Sequence, residues 1–378
     1  MVRDPHSLQS RRRTGRRYTV VLFVVFVLLA GWIAAWKYAA GQAEAAVEGW
    51  RAREARAGRV YSCGAQTVGG FPFRIEVKCE RASAQLRGEQ APLEIKAPDV
   101  VVEAQMYRPN RLVSEFVGPL TIAPPGQAPT ITANWTSGQS IVTGTPRAPE
   151  SATLLFERPT VDQLRNGKSE NLFSAKHIRL SGRIAAGSAA DHPVIAVSLH
   201  AKRASAPGLH SAAEPPFDVD LKLELRGLAD YSPKPWAVRF RELQAAGGRI
   251  DIVKVRLRQG DTLALGKGSL SLDGKGQLAG QLHVTVAGLE PFLNAIGAGK
   301  TIQKSPGMDK VAGMLDRLSP GLGDVARQQA GANLGVGISM LGQPATLDGR
   351  QAVTLPLLFK DGTAYLGPIP LGSTPALF

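Results

Sequence analysis

The feature that most constrains this chain is Tyr18–Trp36, YTVVLFVVFVLLAGWIAAW, nineteen residues without a single charge. A bilayer core takes roughly 20 apolar helical residues at about 1.5 Å each, so the run predicts one transmembrane helix. Six arginines (Arg3, Arg11, Arg12, Arg13, Arg16, Arg17) and only one acid, Asp4, precede it, and Lys37 follows it. Cationic flanks stay in the cytoplasm, which predicts export of everything beyond Trp36. Trp32, Trp36 and Tyr38 fall at the far end, where amphipathic rings settle among headgroups. Ala43-Glu44-Ala45 has the small-x-small pattern of a signal-peptidase site, so a cleaved signal peptide is the competing reading. The apolar run exceeds the roughly 7–15 residues of a signal core and ends in bulky rings, which favours a retained anchor.

The residues after the span are enough for one large or two ordinary domains. An apolar fraction of 44% is that of a folded chain. The formal charge is +14, of which the tail before the span supplies +5 from six arginines and Asp4, and the rest is diffuse. No run of five basic residues follows Arg17 and no basic segment is interleaved with aromatics, so nucleic acid is not an expected partner. The two cysteines, Cys63 and Cys79, flank the turn signal Val68-Gly69-Gly70-Phe71-Pro72 symmetrically. With Val60–Thr67 and Phe73–Cys79 as hairpin arms, the thiols face each other at a spacing a disulfide tolerates, as an oxidising compartment favours.

In chain order, residues 1–17 read as an unstructured basic tail, 18–36 as the anchor and 37–58 as a juxtamembrane helix rich in Ala, Glu and Arg, ended by Gly58. From Arg59 the apolar period changes to two, with Phe73, Ile75 and Val77 alternating with Arg74, Glu76 and Lys78. Short strands follow at Ala84–Arg87, Leu93–Lys96, Val100–Tyr107, Ser114–Phe116, Thr130–Trp135, Ala152–Glu157 and His177–Ile184, with one helical turn over Val161–Leu164. Residues 59–200 thus form an N-terminal β-rich part, and the unpatterned, Pro-rich stretch 201–216 a linker. The C-terminal part, 217–378, opens with the cleanest strand of the chain. Phe217, Val219, Leu221, Leu223 and Leu225 alternate with Asp218, Asp220, Lys222, Glu224 and Arg226, giving one dry and one wet face. This dry face is the candidate binding surface. Further strands are expected at Trp236–Leu243, Arg249–Arg258, Thr262–Leu265, Gly268–Asp273 and Gly276–Val286, with Asp273-Gly274 as a hairpin turn. Helical periods occupy Leu289–Ile296 and Gly307–Gln329, about residues 289–329. Val353–Phe359 and a final or edge strand Thr363–Leu371, carrying Pro368 and Pro370, close the chain. The fold class is mainly β (α+β), built of curved antiparallel sheets.

Catalytic, cofactor and metal patterns are weak. Asn294–Thr301 lacks the first glycine of a phosphate-binding loop, and Gly337–Gly342 is one residue too long for a nucleophile elbow. Gly266-Lys267-Gly268 and Gly274-Lys275-Gly276 miss the third glycine of a dinucleotide fingerprint and read as turn glycines. His6, His177, His192, His200, His210 and His283 are scattered, with no i,i+4 pair for a metal, and His177 and His283 read as wet-face residues. No catalytic residue, cofactor or metal is assigned.

Gly70-Phe71-Pro72-Phe73-Arg74, the run Gly268–Gly280, and the ending from Leu355-Pro356-Leu357 to Leu371-Gly372 resemble a bacterial family of unknown function, DUF2125. The resemblance spans about Tyr18–Leu371 and implies a basic start, one N-terminal span, a GFPF hairpin and a long strand-rich exported region; the family has no assigned activity. The repeated G-x-L-x-G-x-L strands are also similar, more faintly, to AsmA-like envelope proteins, whose sheets curl into apolar grooves associated with lipid handling. The expectation is a non-enzymatic protein of the bacterial inner membrane, single-pass, with a cytoplasmic N-terminus and a periplasmic body. Its partners would be inner-membrane lipid and an envelope protein of unspecified identity. The alternatives are a structural or assembly protein with closed cores, and an envelope hydrolase whose site is unassigned.

Overall fold

The structure, a computed structural model, describes residues 10–87, 92–145, 148–165, 167–188, 193–209, 211–228, 236–288, 316, 324, 342–366 and 369–378. The chain divides into two compact units. One comprises Met1–Phe116 with Ile122–Ala128, the other Val117–Thr121 with Pro129–Phe378. The division falls near residues 117–129, and the first residues of the expected linker at 201–216 belong to the paired strand Ile195–Ala204.

The first unit is led by a single unbroken helix, α1 (Ser10–Arg56). It is long and apolar enough to cross a membrane, and its apolar window is entirely uncovered by protein. The helix begins at Ser10, inside the tail expected to be unstructured. Arginine is a good helix former, and extending an existing helix avoids the nucleation cost. Ala57 and Gly58 end it, the amide of Gly58 donating to the carbonyl of Ala55 and its φ of 79° taking the left-handed turn.

Strands β1 (Arg59–Ser62), β2 (Ala65–Gly69), β3 (Arg74–Leu86), β4 (Leu93–Gln105) and β5 (Arg108–Phe116) follow, with β6 (Leu120–Ala123) crossing the boundary between units. Both β1 and β2 pair antiparallel with β3, so the expected first hairpin arm is interrupted at Cys63-Gly64. Conversely, β3 and β4 each merge two expected strands. Pro98 does not break β4 because it lies across from Arg81, a left-handed residue (φ 50°) between the pairs Ala82–Ala97 and Glu80–Asp99, where the ladder needs no proline amide.

The sheet lies along the last turns of α1. Trp50 stacks on Tyr61 with ring centroids 4.6 Å apart, Glu54 accepts from Arg59 at 2.5 Å, and the Arg51 guanidinium donates to Gln66 at 2.6 Å. Nearer the span, the indole N–H groups of Trp32 and Trp36 donate to the carbonyls of Pro72 (2.9 Å) and Arg74 (2.8 Å) at the turn joining β2 to β3.

The second unit contains β7 (Ile131–Asn134), β8 (Ser137–Thr145), β9 (Ala148–Glu157), β10 (Thr160–Arg165), β11 (Lys168–Ser174), β12 (His177–Ile184), β13 (Ile195–Ala204), β14 (Phe217–Arg226), α2 (Trp236–Ala245), β15 (Arg249–Gln259), β16 (Thr262–Leu272), β17 (Leu278–Ala287), β18 (Gln343–Leu347), β19 (Arg350–Lys360), β20 (Thr363–Leu366) and β21 (Ile369–Ser373). Its backbone is an antiparallel succession β8-β9-β12-β13-β14-β15-β16-β17-β19-β20-β21, in which neighbours in space are nearly always neighbours in sequence.

Several expectations are corrected here. Trp236–Leu243 is helix. Trp236, Val238 and Phe240 mimic a strand period, but Leu243 falls out of phase with it, is 2% exposed, and lies one turn beyond Phe240, with Arg239 and Glu242 paired at 3.0 Å on the i,i+3 spacing. Val161–Leu164 is not helical but the centre of β10, paired on both edges with β7 and β11. Gly266 and Gly268 lie inside β16 and not in a turn. The expected final strand is two, β20 and β21, which pair with each other. The Asp273-Gly274 signal does turn the chain, through a five-residue loop in which the Asp273 carboxylate accepts from the amides of Lys275 and Gln277. The helices expected at Leu289–Ile296 and Gly307–Gln329 lie outside the described residues, Asp316 and Asp324 excepted.

Candidate functional site

The dry face of β14 does not stand alone. Residues opposite one another in an antiparallel pair project to the same side of a sheet, so the register extends that face strand by strand. One row runs Leu154, Leu180, Leu199, Leu221, Val255, Gly266, Val284, Leu355, across β9, β12, β13, β14, β15, β16, β17 and β19. The adjacent row runs Ala152, Gly182, Val197, Leu223, Ile252, Gly268, Leu282, Leu357 over the same strands. Val219 continues into Ala201 and Leu257, Leu225 into Ile195 and Ile250, and Phe217 sits opposite Ala204. All five residues read from the sequence therefore lie on one apolar surface. A bulge in β15 keeps it continuous: Val253, 55% exposed, is the extra residue that lets Ile252 and Val255 both face the dry side.

Burial along the first row is graded. Leu154 and Leu180 are 37% and 38% exposed, Leu199, Leu221, Val255 and Val284 are half-buried, and Leu355 is 1% exposed. At the β16–β20 end the face becomes a core of Leu270, Leu282, Val286, Leu355 and Leu366. Glycines make this end close. Gly268 has φ +153°, and a Cβ there would meet the Cα of Leu282 at 2.8 Å, so the absence of a side chain lets β16 and β17 coil tightly.

The opposite face is charged and internally paired. Asp218 is salt-bridged to Arg258 at 2.7 Å and accepts the amide of Arg203 at 2.8 Å; this amide and then the guanidinium hold its carboxyl below the ordinary range. Burial pushes Asp251 upward, but Ser269, Arg249 and Arg226 outweigh it and leave the carboxyl lowered. His177 pairs with Glu157 at 2.6 Å and His200 with Asp220, each directly across the ladder. His283 lies across from Lys267 beside a depression lined by Lys254, Leu265, Thr285 and Thr354 on this polar side. Among the described residues no three His, Cys, Asp or Glu side chains converge as metal ligands. His6, His192, His210 and the Asn294–Thr301 loop lie outside the described residues.

In the first unit Cys63 and Cys79 are bonded, with Cα atoms 5.4 Å apart. They are not directly opposite, since Cys79 faces Gln66 in the ladder; the interruption at Cys63-Gly64 brings the first sulfur back over β3. The Arg51 guanidinium of α1 approaches the Cys63 sulfur at 2.9 Å, so the bridge lies where helix and sheet meet.

A family model described as "Uncharacterized protein conserved in bacteria (DUF2125)" matches residues 36–375. The chain belongs to the DUF2125 family. This DUF2125 member matches no curated protein and no solved structure. The DUF2125 match takes in the GFPF turn, the whole graded apolar face and the Gly268–Gly280 segment, and it begins at Trp36, where the apolar run of α1 ends.

The sequence singled out β14 and missed the rest of its surface, although the signal was present. Ile178, Leu180, Gly182 and Ile184 alternate with His177, Arg179, Ser181 and Arg183, the same pattern diluted by one glycine.

Proposed function

We propose that this DUF2125 protein is a non-enzymatic envelope protein, held by α1 in the bacterial inner membrane with its body in the periplasm, that accommodates lipid acyl chains on the apolar face of its second unit. The observation that carries the reading is the exposed end of that face, where Leu154 and Leu180 continue the Leu199–Leu221 row yet remain more than one-third exposed. Burying a leucine is worth about 1.5–3 kcal/mol, so a many-stranded apolar surface left partly open favours an apolar occupant. Support for the compartment comes from the arginine-rich start before an apolar helix and from a cysteine pair at bonding distance. Histidines paired one-to-one with carboxylates across strands suit a solvated, charge-balanced surface better than a catalytic centre.

A second reading, a structural protein whose face is consumed by its own core, draws on the burial of Val286, Leu355 and Leu366 at the other end. The two readings separate by lipid extraction of the purified full chain. The proposal expects stoichiometric phospholipid, lost in Leu221→Asp/Leu223→Asp with the circular dichroism unchanged. A protein that carries no phospholipid above detergent blanks favours the closed core.

A further inference from the structure

We propose that the two hairpin turns at the span end of the first unit, residues 70–73 and 106–107, dip into the headgroup boundary of the membrane and form a second lipid contact beside α1. The proposal rests on α1 spanning the bilayer.

Depth comes first. Trp32 and Trp36 lie about 21 and 27 Å along the helix axis from Tyr18, inside a hydrocarbon layer about 30 Å thick. Their indoles hold the carbonyls of Pro72 and Arg74, so the turn between β2 and β3 sits at the level of the last hydrophobic turns of the span. The second turn comes with it, because the amide of Met106 donates to the carbonyl of Phe73 at 2.9 Å.

Chemistry agrees with that depth. Phe71, Phe73 and Tyr107 are 53%, 64% and 67% exposed at one tip, where solvated turns ordinarily carry small polar residues. Phe71 meets Trp36 edge-on at 5.6 Å and Phe73 meets Trp32 at 6.2 Å, continuing the aromatic belt of the helix onto the sheet. Backbone polar groups near acyl chains need partners from the protein, and the carbonyls of Gly70, Pro72, Phe73 and Arg74 all have one. Two arginines border the tip: Arg74 is paired with Glu103 at 3.3 Å and Glu76 at 3.5 Å, and Arg108, exposed in the same cross-strand row, has a stem long enough to carry its head to the lipid phosphates. The occupant is lipid because the neighbouring surface of α1, Val20–Leu29, is itself bare and apolar.

The test uses the full chain reconstituted in vesicles of phosphatidylcholine and phosphatidylglycerol, spin-labelled at one introduced cysteine: Phe71→Cys, Tyr107→Cys, Val24→Cys in the span, or Arg87→Cys at the far end of β3. Collisions with oxygen and with a water-soluble nickel chelate report the surroundings. Labels at 71 and 107 are expected to show an oxygen-to-nickel ratio several-fold above that at 87. The indoles pair with Phe71, Phe73 and the carbonyls of Pro72 and Arg74, none of which the substitution of Tyr107 removes. A lipid-like ratio at 24 with water-like ratios at 71 and 107 overturns the tip contact and leaves the anchor standing. Exclusion of both reagents at 71 and 107 places the tip against protein and also overturns it. A water-like ratio at 24 removes the span and the tip together.

Discussion

Shortening two leucines of the same apolar row should have unequal costs. Leu355 is 1% exposed, and truncating a fully enclosed leucine costs about 2–5 kcal/mol, so Leu355→Ala is expected to lose about 3 kcal/mol. Leu180 keeps 38% of its surface open and leaves no closed cavity when shortened, so only the transfer term of its buried part is lost, about 1 kcal/mol. The first loss changes the folded-to-unfolded ratio by roughly a hundredfold, the second by about fivefold. Pulse proteolysis of the detergent-solubilised protein across a urea series reads both as midpoint shifts. Equal shifts would refute the graded face, since they would mean that both ends are packed alike.

Three further outcomes follow from particular contacts. Gly268→Ala puts a methyl group against the Leu282 backbone at a left-handed φ and is expected to cost about 2 kcal/mol or more, whereas Gly182→Ala, in the same row with open space around it, should stay within about 0.5 kcal/mol by the same urea assay. Removing the Cys63–Cys79 bridge, at a sequence separation of 16, should destabilise the first unit by about 3 kcal/mol, and alkylation in cells should find both thiols blocked until reductant is added. Asp218 has a lowered folded-state pKa, so its contribution is present above the ordinary carboxylate value of about 4 and is lost as pH falls through the lowered value; Asp218→Asn should flatten that acid limb in melting temperatures measured against pH.

What the sequence made legible was local. An uncharged nineteen-residue run, a five-on-five alternation at Phe217–Arg226, and two cysteines flanking a Gly-Gly turn each carry their signal within a few residues. Trp236–Leu243 misled because Trp236, Val238 and Phe240 fit a period of two, whereas the packing of Leu243 and the Arg239–Glu242 pair belong to the helix. The width of the dry face escaped because β12 and β16 put glycines where β14 puts leucines, and only register shows that Gly182, Gly266 and Gly268 share a side with them. The contact of Trp32 and Trp36 with the GFPF turn was hidden for another reason. Its partners are 40 and 38 residues apart, beyond the reach of any periodicity.

The most direct measurement of the lipid-binding claim places a photo-crosslinking amino acid in living cells at Leu180, on the dry face, and at Arg179, its neighbour on the charged face. Intact-mass analysis after irradiation is expected to show phospholipid adducts from position 180 and none from 179. Adducts to protein alone, or equal lipid labelling from both positions, would contradict an acyl-chain surface on this sheet.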